Sequence, residues 1–200
     1  MRKYLGLAKG IAMSASILFS GHMIDRPDRA VPRFPPSLAR PARRRIHRAI
    51  AAFAETRAGE QILGFASGAC GGDILFHEEC RKLGLDTVII LPFAPGRFIE
   101  TSVQLTPSDQ GQWRRRFRRL WRETPEERRE VMDQQVEEVA YARCNGRLVA
   151  RAHAFGPVHL ILLWNGKGGD GPGGTSDLAA HADAHDTPDI IAPASLRHSG

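Results

Sequence analysis

The sequence predicts an α/β fold, a Rossmann-like three-layer α/β/α domain with a mostly parallel sheet. Three observations carry that expectation. Short apolar runs recur along the 200 residues and alternate with longer stretches of helical period. Glycine-bearing turns follow several of those runs directly. A hydrophobic content of 42% in a chain of this length suits one compact domain with a sizeable core. The boundaries read as a flexible extension over 1–14, one nucleotide-binding domain over 15–192 and a flexible tail over 193–200.

The elements follow in order. Residues 15–20 (ASILFS) form a short buried strand that ends at Gly21. A proline-rich stretch over 22–36 is too broken for regular structure. Ser37 is placed to cap a helix to Thr56, with Ala42, Ile46, Ile50 and Phe53 on one face and Pro41 near its first turn. Residues 62–66 are a second strand, and a helix runs from Asp73 to Leu83, stopped by Gly84. Residues 87–91 (TVIIL) are the clearest strand, closed by Pro92.

Residues 94–111 show little periodicity, and a helix resumes over 113–122. Thr124, Pro125 and Glu127 read as a capping box opening a helix to Arg143, with another short helix over 146–155. Residues 158–164 (VHLILLW) are a buried strand. Thr175 is placed to cap a last helix to about His185, and Ile190 and Ile191 make a final edge strand.

Strands alternating with helices imply a parallel sheet covered on both faces, and ligands of such sheets sit beyond the carboxyl ends of the strands. Three glycine-bearing turns fall there. The first supplies Ser20, Gly21, His22 and Met23. The second supplies Ser67, Gly68, Ala69, Cys70, Gly71, Gly72 and Asp73, with backbone N–H groups at a helix start. Asp73 can cap that helix, hold a ribose hydroxyl or bind a metal-bridged phosphate, and His77 one turn on reads as a helix-surface or packed histidine and not as a base.

The third turn supplies Asn165, Gly169, Asp170, Gly171, Gly173, Gly174, Thr175 and Asp177. Asp170 and Asp177 would repel a phosphate, so they fit sugar hydroxyls, a helix cap or catalysis. Arg33 is a lid residue able to clamp a phosphate, and Phe34, Phe93 or Phe98 could stack a base or simply pack.

The run from Ser67 to Asp73 with His77 is similar to the serine-glycine-x-alanine-x-glycine-x-aspartate motif of DNA-processing protein A, with different spacing. Residues 172–175 (PGGT) resemble a shortened PGGxGTxxE loop of Lonely-Guy phosphoribohydrolases. The layout over 15–192 therefore resembles the SLOG superfamily, which also includes the N-terminal domains of melastatin-type channels. That resemblance implies a nucleotide-derived ligand, of the ADP-ribose or NAD kind or a nucleoside phosphate. Leu178 stands where the enzymatic branch carries a glutamate three residues after the threonine. The resemblance therefore favours sensing over N-glycosidic hydrolysis.

Composition bounds the rest. A net charge of +6 and a sequence pI near 9.8 come largely from RRRIHR at 43–48 and RRRFRRLWR at 114–122. Each run lies on a helical pattern whose arginines can be a solvated face or a polyanion surface. Cys70, Cys80 and Cys144 cannot all pair and form no metal-type spacing, so a reduced thiol set is expected. Lys9 interrupts the signal-like N-terminus and no run approaches the ~18 apolar residues of a membrane span, so a cytoplasmic location without membrane contact is expected.

Walker A, HExxH and nucleophile-elbow patterns are all missing. No metal and no cofactor are expected. Three functions stay open: a sensor of a nucleotide-derived small molecule, a nucleotide N-glycosidase using Asp177 or Asp170, and a nucleic-acid binder using the arginine helices. The sequence also leaves a homodimer open.

Overall fold

The computed structural model describes residues 13–104, 111–135, 137–168, 173–181 and 188–198. Within them lies a six-stranded, all-parallel sheet with helices on both faces, the expected three-layer α/β/α arrangement. Its strands are β1 (Ser14–Gly21), β2 (Gln61–Ala66), β3 (Asp86–Leu91), β4 (Arg129–Val131), β5 (Val158–Leu163) and β6 (Asp189–Ile191). Their spatial order is β4-β3-β2-β1-β5-β6.

The helices are α1 (Ala39–Thr56), α2 (Gly72–Lys82), α3 (Pro95–Phe98), α4 (Gln112–Glu123), α5 (Glu137–Phe155) and α6 (Thr175–His181). Strand residues alternate between two cores, as a pleat requires. Ile17 and Phe19 face one core together with Ile46 and Ile50 of α1, Ile74 of α2 and Phe117 of α4. Leu18 faces the other core with Cys144 and Leu148 of α5 and Leu178 of α6. Connections stepping from β1 out to β4 thus cross one face, and those leading to β5 and β6 cross the opposite face. That is the pattern a single hand of crossover demands. The strand order reverses between β1 and β5, and the crevice between their carboxyl ends is the place for a ligand.

Several expectations change. Ser37 does not cap α1; a 3-10 turn over Pro36–Leu38 leads into the helix, whose N-cap is Leu38 with no side-chain bond. The stretch after β3, read as irregular, contains α3 and a π-helical turn over Ile99–Val103. The capping box at Thr124 opens no α-helix, only a 3-10 turn over Glu126–Arg128: the Thr124 hydroxyl donates backward to the Leu120 carbonyl at 2.9 Å and closes α4. Arg129–Val131 then joins the edge of β3, because an edge strand with open hydrogen-bonding groups outranks a local helix-start signal. Residues 146–155 are no separate helix; α5 runs through Gly146 without a break.

The expected tail over 193–200 begins as a 3-10 segment, Pro193–His198, whose Leu196 is buried in the core, so the domain extends past residue 192. The end expected for the last helix, near His185, lies outside the described residues, as do residues 1–12 of the expected extension.

Candidate functional site

A cavity of about 380 Å³ opens at the reversal of strand order. Ser20, Gly21, His22 and Met23 line it from the end of β1, Ser67, Ala69 and Asp73 from the end of β2, and Gly173, Gly174 and Thr175 from the approach to α6. Three turns far apart in sequence therefore share one space. The Ser20 hydroxyl donates to the Thr175 hydroxyl at 3.4 Å, which ties the first turn to the third. An isolated bridge between Met23 and Gly71 ties the first to the second.

Asp73 is the most unusual group in this cavity. The residue is only 7% exposed, and burial pushes its carboxyl up to about 7. Backbone N–H groups of Ala69 and Gly21 pull in the opposite direction without cancelling that effect. The carboxylate accepts the N–H of Ala69, which precedes the helix, at 3.2 Å, and the N-cap position of α2 belongs to Gly71. Asp73 is thus no cap of its own helix. It is an acid whose protonation changes near neutrality beside an open space, which suits proton transfer or hydrogen bonding to a hydroxyl.

His22 reaches the cavity with a depressed basicity caused by burial, and its Nε2 accepts the Asn165 N–H at 3.2 Å. A ring accepting at Nε2 carries its proton on Nδ1 when neutral. His77 is walled in. Burial lowers its pKa to about 4, its Nε2 lies 2.7 Å from the Ser67 carbonyl and its Nδ1 lies 2.9 Å from the Thr87 hydroxyl. A neutral His77 donating to Ser67 anchors the second turn, which decides for a packed histidine over one on the helix surface.

The opposite wall is hydroxylic. Tyr141 OH lies 2.9 Å from both Ser102 Oγ and Thr101 Oγ1. All three line the cavity with Phe98 and Asn145. Arg33 and Lys167 add two cationic side chains and Trp164 adds an indole, whose N–H donates to the Lys167 carbonyl at 2.7 Å. Two backbone N–H groups, of Arg33 and Phe34, bond the Asp25 carboxylate at 2.8 and 2.7 Å, which shapes the loop bringing Arg33 over the cavity. Among the described residues no group of three or more His, Cys, Asp or Glu is placed to hold a metal ion, and no helix is long and apolar enough to cross a membrane.

No family model, no curated protein and no solved structure matches this chain.

Some residues selected from the sequence lie elsewhere. Gly68, Cys70, Gly71 and Gly72 are not part of the cavity lining, because the second turn packs against protein. The Cys70 N–H goes to the Ser102 carbonyl at 2.9 Å and the Gly72 N–H to the His22 carbonyl at 3.1 Å, so neither is available to an anion. Cβ atoms added at Gly21 and Gly72 would each lie within 3 Å of the other glycine's Cα, so both glycines serve the contact between turns. Asn165 contributes its N–H to His22 instead of lining the cavity. Asp177 accepts the Asn145 side-chain amide at 2.9 Å and is also absent from the lining, which removes it from a catalytic position. Gly169, Asp170 and Gly171 lie outside the described residues.

Phe34 and Phe93 are buried packing residues, and of the three phenylalanines considered for stacking only Phe98 borders the cavity. Thr101, Ser102, Tyr141, Asn145, Trp164 and Lys167 were not singled out from the sequence. One signal existed: Tyr141, Cys144, Asn145 and Leu148 share the i, i+3, i+4, i+7 face of α5, so a Tyr and an Asn interrupt an otherwise apolar stripe.

Proposed function

We propose that this protein binds and senses a nucleotide-derived small molecule, a nucleoside phosphate or an ADP-ribose- or NAD-like compound. The observation that carries this reading is the meeting of the three turns around one cavity where the strand order reverses. Its volume falls in the roughly 300–1,000 Å³ range of small-molecule sites. The chemistry is apt: hydroxyls and a carboxyl for a ribose, Arg33 and Lys167 for phosphate, and Trp164 or Phe98 for a base. The SLOG resemblance of the glycine turns points the same way, and a cytoplasmic signalling role goes with it.

One observation favours a second reading. Asp73, an acid near neutrality lining the cavity, could protonate a leaving base, which keeps a nucleotide N-glycosidase in play with Asp73 in place of Asp177 or Asp170.

Thermal shift and calorimetry with AMP, NAD and ADP-ribose test both readings. A ligand present at 100 times its Kd stabilises the fold by about 2.7 kcal/mol, so at least one compound should raise the melting temperature clearly. Chromatography of the same mixtures should show no free base or ribose phosphate. Base release abolished by Asp73→Asn would establish the glycosidase instead. Silence from all three compounds, together with no nucleotide in the mass spectrum of gently purified protein, would overturn the nucleotide reading.

A further inference from the structure

A second concavity, of about 480 Å³, lies among α1, α2 and α4, on the face of the sheet opposite α5 and α6. It gathers the two arginine runs that the sequence keeps some seventy positions apart. Arg40 and Arg43 reach it from α1, Arg81 and Lys82 from α2, and Arg116 and Arg119 from α4. Glu78 is the one carboxylate in that lining.

Five of these six cations, Arg43, Arg81, Lys82, Arg116 and Arg119, are anchored. Arg116 donates through Nε and Nη2 to the two oxygens of Glu78 at 2.8 and 2.7 Å, and stacks its guanidinium 4.0 Å from the Trp113 ring centroid. Arg43 bonds the same carboxylate, and Arg119 approaches it at 3.8 Å. Glu79 beneath takes Arg43 at 3.2 Å and Lys82 at 2.7 Å, while Arg81 pairs with Glu123 at 2.5 Å. Six cations thus face three carboxylates, Glu78, Glu79 and Glu123, which leaves a surplus of three positive charges in one pocket-sized space. A surplus this concentrated is more than internal pairing needs.

We propose that this concavity is a binding site for a compact polyphosphate, a small molecule carrying several phosphate groups close together. Glu78 fixes guanidiniums that still hold unused donors, so little ordering remains to be done when an anion arrives. Forked donors suit phosphate oxygens. A concavity of this size, lined by cations, fits a compact ligand better than a flat membrane, and the exposed large apolar residues among those described, such as Val31 and Ile190, lie outside the lining. Among the described residues no aromatic lines this concavity to stack successive bases of a single strand, and Trp113 is buried beneath Arg116.

Calorimetry with inorganic tripolyphosphate at 150 mM salt is the test, with sulfate as the simple-anion reference. Tripolyphosphate should bind well above sulfate. Arg40→Ala combined with Arg119→Ala should weaken it at least about tenfold, because two charge-assisted contacts are lost. Arg45→Ala with Arg48→Ala removes the same charge from exposed sites of α1 outside the lining, and should leave binding intact. Arg33→Ala, in the first cavity, should also leave it intact, which separates this site from the nucleotide reading. Binding no tighter than sulfate would overturn the proposal, as would equal losses in both double variants or a loss confined to Arg33→Ala. Tighter binding of an oligonucleotide or a poly-glutamate peptide than of tripolyphosphate would overturn the assigned occupant.

Discussion

A glycine in a ligand loop and a glycine in a packing contact look identical in sequence, and Gly71 shows how they differ. Its φ is +99°, and an added Cβ would lie 2.7 Å from the Ile24 nitrogen and 2.8 Å from the His22 oxygen, both backbone atoms with little room to give. Gly84, at φ +72°, would place its Cβ in open space. Gly84→Ala therefore carries only the left-handed backbone cost, about 1 kcal/mol. Gly71→Ala adds a backbone collision and should cost about 3 kcal/mol or more, read from urea unfolding midpoints. Similar losses at the two positions would mean that the second turn is loosely packed and that its glycines are held for another reason. The place of the glycine turns was legible in the sequence, because glycine after an apolar run marks the carboxyl end of a strand. What stands opposite each missing side chain was not, since Gly72 meets Gly21 across some fifty residues of chain.

At the scale of elements, α2 is the hub through which α1 and α4 are oriented. Its Glu78 binds Arg43 of α1 and Arg116 of α4 at once, and Arg119 lies close by. Burial alone would raise the Glu78 carboxyl, but the hydrogen bonds from Arg116 and the charges of Arg116, Arg43 and Arg119 outweigh it and hold the group below the usual glutamate range. Removing a partner from a fully buried pair costs about 3–5 kcal/mol. Arg43 and Arg119 are partly exposed, so Glu78→Gln should cost less, about 2 kcal/mol at pH 7. A depressed folded pKa gives stability that is present above the unfolded value and lost as pH falls through the folded one. The gap between wild type and Glu78→Gln should therefore shrink below about pH 4.5, the ordinary glutamate value. A gap unchanged between pH 7 and pH 3 would mean that the carboxylate charge does not orient these helices. The amphipathic stripes of both arginine helices were readable from spacing, but their convergence on one carboxylate is a tertiary fact. So is β4, whose three residues carry no strand pattern and pair because the edge of β3 is open.

At the scale of the whole molecule, the fold was legible because alternation of apolar runs and helical periods constrains a parallel sheet to few arrangements. The protonation state of its interior was not, since that depends on what closes over each group. Asp73 and His77 lie on the same short helix and titrate in opposite senses. Between pH 3.8 and about 7 the folded chain keeps the Asp73 proton while the unfolded chain releases it, so this group's contribution falls as pH rises. Over some three pH units that amounts to roughly 4 kcal/mol. His77 stays neutral in the fold down to about pH 4, whereas the unfolded residue protonates below 6.5, so its contribution falls as pH drops. The depressed basicities of His22 and His159 act in the same direction as His77. Asp73 therefore offsets, between pH 4 and 6.5, an acid lability that the buried histidines would otherwise impose. Asp73→Asn removes the offset. Urea midpoints at pH 4.5, 6 and 7.5 should show the variant losing ground to wild type steadily toward acid, by up to roughly 4 kcal/mol across the full window. A difference between the two proteins that stays constant with pH would show that Asp73 ionises as an ordinary exposed aspartate, and it would remove the acid on which the glycosidase reading depends.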